Sequence, residues 1–318
     1  MKAPFSLLLL LFSVITEAQR GYHPRDTSYS IHSSYEKIRK DHPDVKEVYG
    51  SLPDGVVADT NVVYATVDGD RELHLDVWRP EGIEALRPAV ILIHGGGWTT
   101  GSKENQIPMA QRLAASGYIT ATPEYRLSAE APYPAAVSDL KLAVRWLRAN
   151  GGIYGIDTSR IAAYGASAGA HLASLLGTTN ELDLYDSDHP LKKHSAAVQA
   201  VLNIDGIVSF VHPEAEPEWT GRSANAWLGN YDQEREWWRE ASPLEYAGAA
   251  TPPFLFVNSS YPRFHAGRDD LLTILDRHGI YHEEHTFAGS PHAFWLLDPW
   301  FEPTLEYTVA FLGKVFAD

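Results

Sequence analysis

The 318-residue chain carries 26 Lys and Arg against 41 Asp and Glu, a formal net charge of −15, with 44% hydrophobic residues and no cysteine. That length suits one large α/β domain or two smaller ones, and the hydrophobic fraction is that of a globular protein. The charge offers no basic footprint for nucleic acid, and the missing cysteine excludes disulfides, a thiol nucleophile and thiolate metal sites.

Met1-Lys2-Ala3 leads into the apolar run Leu7-Leu8-Leu9-Leu10-Leu11-Phe12, and Thr16-Glu17-Ala18 sets small residues before a cut. Residues 1–18 therefore read as a secretory signal peptide, too short to span a bilayer. The mature chain, 19–318, is expected to be soluble, secreted or periplasmic, and without a membrane span. Residues 19–60 are polar and irregular and predict an arm packed on the domain. Asn61–Val67 and Glu72–Trp78, joined through Asp68-Gly69-Asp70, predict a hairpin.

Continuous apolar runs follow at Ala89–Ile93 and Tyr118–Thr122, as in strands covered on both faces. Pro134 opens a helix whose Val137, Leu140, Val144 and Leu147 repeat at helical spacing, closed by Gly151-Gly152. Next come the strand Arg160–Tyr164, a helical pattern over His171–Leu176, and the strand Val198–Ile204 ending at Asp205-Gly206. Segment 209–250, rich in Trp219, Trp227, Trp237 and Trp238, reads as a cap insertion over the active-site end of a sheet. Strand Phe254–Val257, a helix over Arg268–Arg277, a short strand near Tyr281–Thr286 and a helix over 303–316 complete the chain. Strands alternating with helices predict a single α/β domain: a mostly parallel sheet with helices on both faces.

Two glycine motifs carry chemistry. Gly165-Ala166-Ser167-Ala168-Gly169 matches G-x-S-x-G between a strand and a helix, the turn that exposes a nucleophilic serine. A serine hydroxyl attacks only when a base takes its proton. His292, in Ser290-Pro291-His292-Ala293-Phe294-Trp295, follows the last short strand and is the best base; His171, His265 and His285 compete, with His171 expected to pack beneath the site. His94-Gly95-Gly96-Gly97-Trp98 closes an apolar strand about seventy residues upstream. Its Gly96 or Gly97 N–H, with that of Ala168, is expected to form an oxyanion hole, where a side chain would block close approach.

His94–Trp98, Gly165–Gly169 and the Pro291-His292 ending resemble the α/β-hydrolase carbohydrate esterases over roughly residues 60–316. Asn258-Ser259-Ser260, His265–Asp269 and Ser290–Trp295 are similar to esterases of plant-polysaccharide-degrading gut bacteria, some of which act on pectin. The resemblance implies an α/β-hydrolase fold and ester hydrolysis firmly, and the ester only loosely.

One departure matters. The family's acid usually follows the strand that here is Phe254–Val257, yet Asn258-Ser259-Ser260-Tyr261-Pro262-Arg263 holds no carboxylate. Asp205, one strand earlier, is preferred in that role, with Asp269 as the alternative. Arg263 then stands where an acid is usual and is a candidate to bind a substrate carboxylate. Trp98, Trp295 and the tryptophans of 209–250 are candidates to stack on sugar rings. The reading is an exported serine esterase on plant cell-wall polysaccharide, needing no metal or organic cofactor. Galacturonate methyl esters are favoured, an acetyl ester is the near alternative, and a catalytically inactive carbohydrate-binding hydrolase fold is the alternative of another class.

Overall fold

The computed structural model describes residues 25–317 apart from Glu181 and Glu216, and the side chains of 217–220 are left out. Segment 1–18, read as a signal peptide, lies outside these residues. No helix among the described residues is long and apolar enough to cross a membrane.

The centre is an eight-stranded sheet. Its strands are β1 (Val56–Val67), β2 (Arg71–Pro80), β3 (Arg87–Ile93), β4 (Ile119–Pro123), β5 (Ile156–Ala166), β6 (Ala200–Ile204), β7 (Phe254–Asn258) and β8 (His282–Thr286). They lie in the order β1-β2-β4-β3-β5-β6-β7-β8. The predicted hairpin pairs β1 with β2, turning through Asp68 and Gly69 at positive φ. From β4 to β8 every neighbouring pair is parallel. With Phe254, Leu255, Phe256 and Val257 all fully buried, β7 shows why such strands lose the alternation of a half-exposed strand.

Both faces are covered, and period two divides the side chains between them. Ile91, Ile93, Ala163, Val201 and Phe256 join one core with helices α3 (Ala135–Ala149) and α4 (Ala168–Thr178). Val90, Leu92, Tyr164, Leu202 and Val257 join the other, against α2 (Ile107–Ala115) and the C-terminal α8 (Phe301–Val315). These residues form an α/β-hydrolase fold with helices on both faces.

Two elements differ from expectation. The arm is not wholly irregular: α1 (Ile31–Ile38) starts at Ser30, whose side chain accepts the Ser33 N–H while the Ser33 hydroxyl accepts the Ser30 N–H. Lys46–Glu47 pairs with Leu297–Asp298 in a separate ribbon, tying the arm to the region after His292. Segment 209–250 is itself the crossover between parallel β6 and β7, carrying α5 (Pro217–Leu228) and α6 (Arg235–Glu240). The helix Arg268–Arg277 (α7) falls at the predicted bounds.

Register brings the chemistry to one edge. Ala166 pairs with Ile204 and Ile204 with Val257, so the next residues of three adjacent strands are Ser167, Asp205 and Asn258. His94 follows β3 at the same edge. Ligands of open parallel sheets bind at this carboxyl end.

Candidate active site

Ser167 joins β5 to α4 with φ 56 and ψ −120, a conformation that costs a non-glycine residue about 1–3 kcal/mol. The flanking glycines explain how the turn closes. A Cβ on Gly165 would lie 2.0 Å from the Gly169 carbonyl oxygen, and one on Gly169 would lie 2.2 Å from that of Ile93. The helix therefore sits directly on the strands and lifts Oγ clear of the backbone.

His292 Nε2 lies 2.9 Å from Ser167 Oγ. Its Nδ1 lies 2.7 Å from Asp205 Oδ2. A carboxylate only accepts, so Nδ1–H donates to Asp205 and Nε2 is left to accept from the serine. The other oxygen, Asp205 Oδ1, accepts the Ser259 N–H at 2.8 Å. Asp205 is fully buried, whereas the His292 side chain keeps 24% exposure, enough to reach the cleft. Asp205 also sits at φ 55, and the next N–H, of Gly206, donates to Asn203 Oδ1. Asn203 Nδ2 in turn donates to Ser174 of α4, joining the acid turn to the nucleophile helix.

The imidazole is held on its ring face as well. Phe264 stacks on His292 with centroids 3.5 Å apart and planes 12° apart, and Trp295 meets it edge-on. The Arg263 guanidinium also lies over the Phe264 ring, 4.5 Å from its centroid. Phe264 and the Ser259 N–H escaped sequence reading, although Ser259 lies in the turn singled out for lacking a carboxylate and Phe264 directly follows it.

A cleft of ≈ 370 Å³ opens above Ser167, lined by Gly96, Gly97, Ala168, Asp205, Arg263 and His292 among others. Ala168 is the first residue of α4, where N–H groups have no intrahelical acceptor and the helix dipole is positive. On the facing loop, the Gly96 carbonyl accepts from the Thr99 and Thr100 N–H groups. The trans peptide then turns the Gly97 N–H the opposite way. Gly96 has φ +118, and a Cβ there would lie 2.0 Å from the Thr100 carbonyl oxygen.

A family model describing BD-FAE matches residues 75–263, more than half the chain and a span holding both glycine motifs and Asp205. The chain belongs to the BD-FAE family. Esterase LipC of Mycobacterium tuberculosis is 32% identical over 200 residues, 58% of this chain and 47% of LipC. The chain spans about half the length of the curated relatives it matches. Among solved structures, a truncated carbohydrate esterase from gut microbiota superposes with a TM-score of 0.69 at 20% identity, covering 85% of this chain and 98% of the other. Propionate-bound esterase 2 of the Planctomycetes species Thermogutta terrifontis gives 0.66 at 24%, covering 83% and 95%.

The BD-FAE chain keeps the other candidate residues apart from this centre. The Asp269 side chain is 72% exposed, lies on α7 and pairs with Arg268. His285 stacks on Tyr307, and His265 is half-buried, its pKa lowered by burial and by Arg268. His171 packs beneath the site. Its Nε2 donates to the Ala241 carbonyl at 2.6 Å, and its Nδ1 accepts from Trp98 Nε1 at 3.3 Å. Burial lowers its pKa to about 4, so it is a neutral strut linking the 209–250 crossover, α4 and the glycine loop.

Trp98 lines the cleft, but mainly as part of its wall. Its ring is 7% exposed and lies parallel to buried Trp227 at 5.1 Å, with Phe210 and His171 around it. Trp98 has φ 60, so the backbone that follows Gly97 drives the ring inward. Trp227, Trp238 and Trp295 are core residues too; Trp237 is 41% exposed, and the Trp219 side chain lies outside the described residues.

The arm fastens the glycine loop from behind. Arg25 donates to the carbonyls of Gly101 and Tyr125 and, through Nη2, to His94 Nε2 at 2.6 Å. His94 Nδ1 can then donate to the Gly95 carbonyl, 2.7 Å away. Burial and the Arg25 charge hold His94 neutral, well below its ordinary pKa. Asp26 accepts the Gly101 N–H through its carbonyl, and Tyr29 donates to Thr100 Oγ1. Sequence reading carried no signal for this clamp, because an arginine in a polar arm looks like any solvated charge.

Proposed function

We propose that this BD-FAE chain is a serine ester hydrolase, with the relay Ser167 Oγ–His292 Nε2 and His292 Nδ1–Asp205 Oδ2 as the observation that carries it. Ser167 Oγ attacks the ester carbonyl carbon while Nε2 takes its proton. Asp205 stabilises the imidazolium that forms. The Ala168 N–H and the Gly96–Gly97 loop hold the negative oxygen of the tetrahedral intermediate. Nε2 then gives the proton to the leaving alcohol, and water, activated by the same histidine, releases the acid. All groups are supplied by the chain, so an inactive binding fold has no feature left in its favour once Asp205 supplies the acid.

The substrate we favour is a galacturonate methyl ester on plant cell-wall pectin, acted on after export from the cell. Arg263 supports this choice. It borders the cleft beside His292, where a planar cation suits a sugar carboxylate. Arg263→Ala should weaken hydrolysis of uronate esters at least tenfold more than hydrolysis of a neutral aryl acetate. A short acyl ester such as acetate is the second reading, because propionate occupies the Thermogutta terrifontis esterase.

Product analysis on pectic polysaccharide separates the readings. Released methanol supports the uronate ester, and acetate alone overturns it for the acetyl ester. If neither appears and fluorophosphonate leaves Ser167 unlabelled, the hydrolase itself is refuted.

A further inference from the structure

Beside the cleft lies a second chamber of ≈ 510 Å³. Tyr29, Lys37, Arg263, Phe264 and His292 line both spaces, so the two adjoin. One wall is the arm, with Ser33 and Lys37 on α1 and Asp41 just beyond it; another is the turn after β7, contributing Tyr261 and Arg263. The chamber reaches the size of small-molecule sites, which pair an apolar surface with a few placed polar groups.

Its chemistry is unlike that of the surface as a whole. The chain carries −15, yet among the described residues this chamber is lined by Lys37 and Arg263 with one carboxylate, Asp41. Tyr261 supplies an aromatic ring that is 46% exposed, in contrast to the buried tryptophans of the neighbouring crossover. Cations beside an accessible ring suit a sugar acid. The carboxylate meets the cations, and the C–H face of the ring meets the aromatic. The position adds an argument. In a polysaccharide the ester-bearing unit at Ser167 has chain neighbours, and a space that begins at His292 is where one of them must go.

We infer that this chamber is a subsite for an unesterified uronic-acid unit adjoining the ester-bearing unit, with its carboxylate on Lys37 and Arg263 and its ring against Tyr261. The inference rests on the hydrolase reading for what fills the cleft, and on the chamber alone for the charge it selects. It has a consequence for the reaction. Each hydrolysis creates a free carboxylate, which then fits the chamber when the next ester enters the cleft, so turnover favours esters beside acids already released.

The test uses the full chain carrying Ser167→Ala, so that nothing turns over. Binding of an unesterified galacturonate oligomer and of a neutral galactose oligomer of equal length is measured by titration calorimetry. The acidic oligomer should bind more tightly. Adding Lys37→Ala should weaken it about tenfold, leaving the neutral oligomer within about twofold, whereas Tyr261→Ala, which removes the ring face that either sugar uses, should weaken both. Lys37 and Tyr261 are exposed, and unchanged melting temperatures verify that the variants fold. Equal losses on both oligomers with Lys37→Ala, no loss on either with either variant, or no preference for the acid overturns the subsite. Fluorophosphonate labelling of the unsubstituted enzyme reads the hydrolase chemistry separately, so either idea can fail while the other stands.

Discussion

Replacing Asp205 by Asn changes a single atom group and reverses a proton. Oδ1 accepts the Ser259 N–H at 2.8 Å, which fixes the orientation of an amide placed there: its oxygen stays on Ser259 and its NH2 faces His292 Nδ1. Nδ1 must then accept, and the ring proton moves to Nε2, facing Ser167 Oγ 2.9 Å away. A protonated Nε2 cannot take the serine proton. Restoring the productive tautomer sets two N–H groups against each other and forfeits a charge-assisted bond worth roughly 1.5–3 kcal/mol. The imidazolium also loses its buried counter-charge, where removing one partner costs about 3–5 kcal/mol. The overlap of these terms leaves about 4–5.5 kcal/mol on the barrier, or roughly 10³–10⁴ in kcat.

Stability should hardly move. Asn is isosteric with Asp and tolerates φ 55 better than most residues, and the Ser259 bond survives. The assay is kcat and KM for an aryl acetate, with thermal melting of the same preparations. A large fall in kcat, little change in KM and an unchanged melting temperature are expected. A folded Asp205→Asn enzyme within tenfold of the parent kcat would refute the reasoning. So would an equal loss in Asp269→Asn, whose carboxylate points to solvent.

Two further outcomes follow from groups behind the site. His171 is neutral and buried with a pKa lowered to about 4, while the unfolded chain titrates near 6.5. Below about pH 6.5 the unfolded state therefore binds the extra proton first. Stability from this group is complete above that pH and is lost as pH falls towards 4, on the order of 3 kcal/mol in total. Melting temperature against pH should flatten in that window for His171→Gln; an unchanged slope would assign the acid sensitivity elsewhere. Arg25→Ala should lower kcat about 10- to 100-fold with a much smaller change in KM, because it frees the loop that aims the Gly97 N–H. A variant with parent kcat would show that the arm merely covers the loop.

What could be read from sequence was local. The elbow needs glycines where a Cβ would strike the Gly169 and Ile93 carbonyl oxygens, so Gly165 and Gly169 announce Ser167 directly. Buried strands wrote themselves as apolar runs, and α3 as a periodic pattern of Val137, Leu140, Val144 and Leu147. The arm helix was missed because its signal is one Ser30–Ser33 cap on an otherwise polar stretch. An indole beside a glycine loop has the same letter whether it faces a ligand or Trp227, so its packing is not legible in sequence.

The relocated acid shows how neighbouring strand ends divide one task. Moving the carboxylate to β6 brings it beside the serine in register, since Ala166 pairs with Ile204. It also leaves the end of β7 without its usual duty. That turn now does three other things: Ser259 donates to the acid, Phe264 stacks on the base, and Arg263 covers Phe264 at the mouth of both chambers. The acid is instead fully buried and committed to His292 and Ser259. The position of the acid and the make-up of the turn after β7 are therefore linked, because Ser259 of that turn orients the acid while Phe264 stacks on the base.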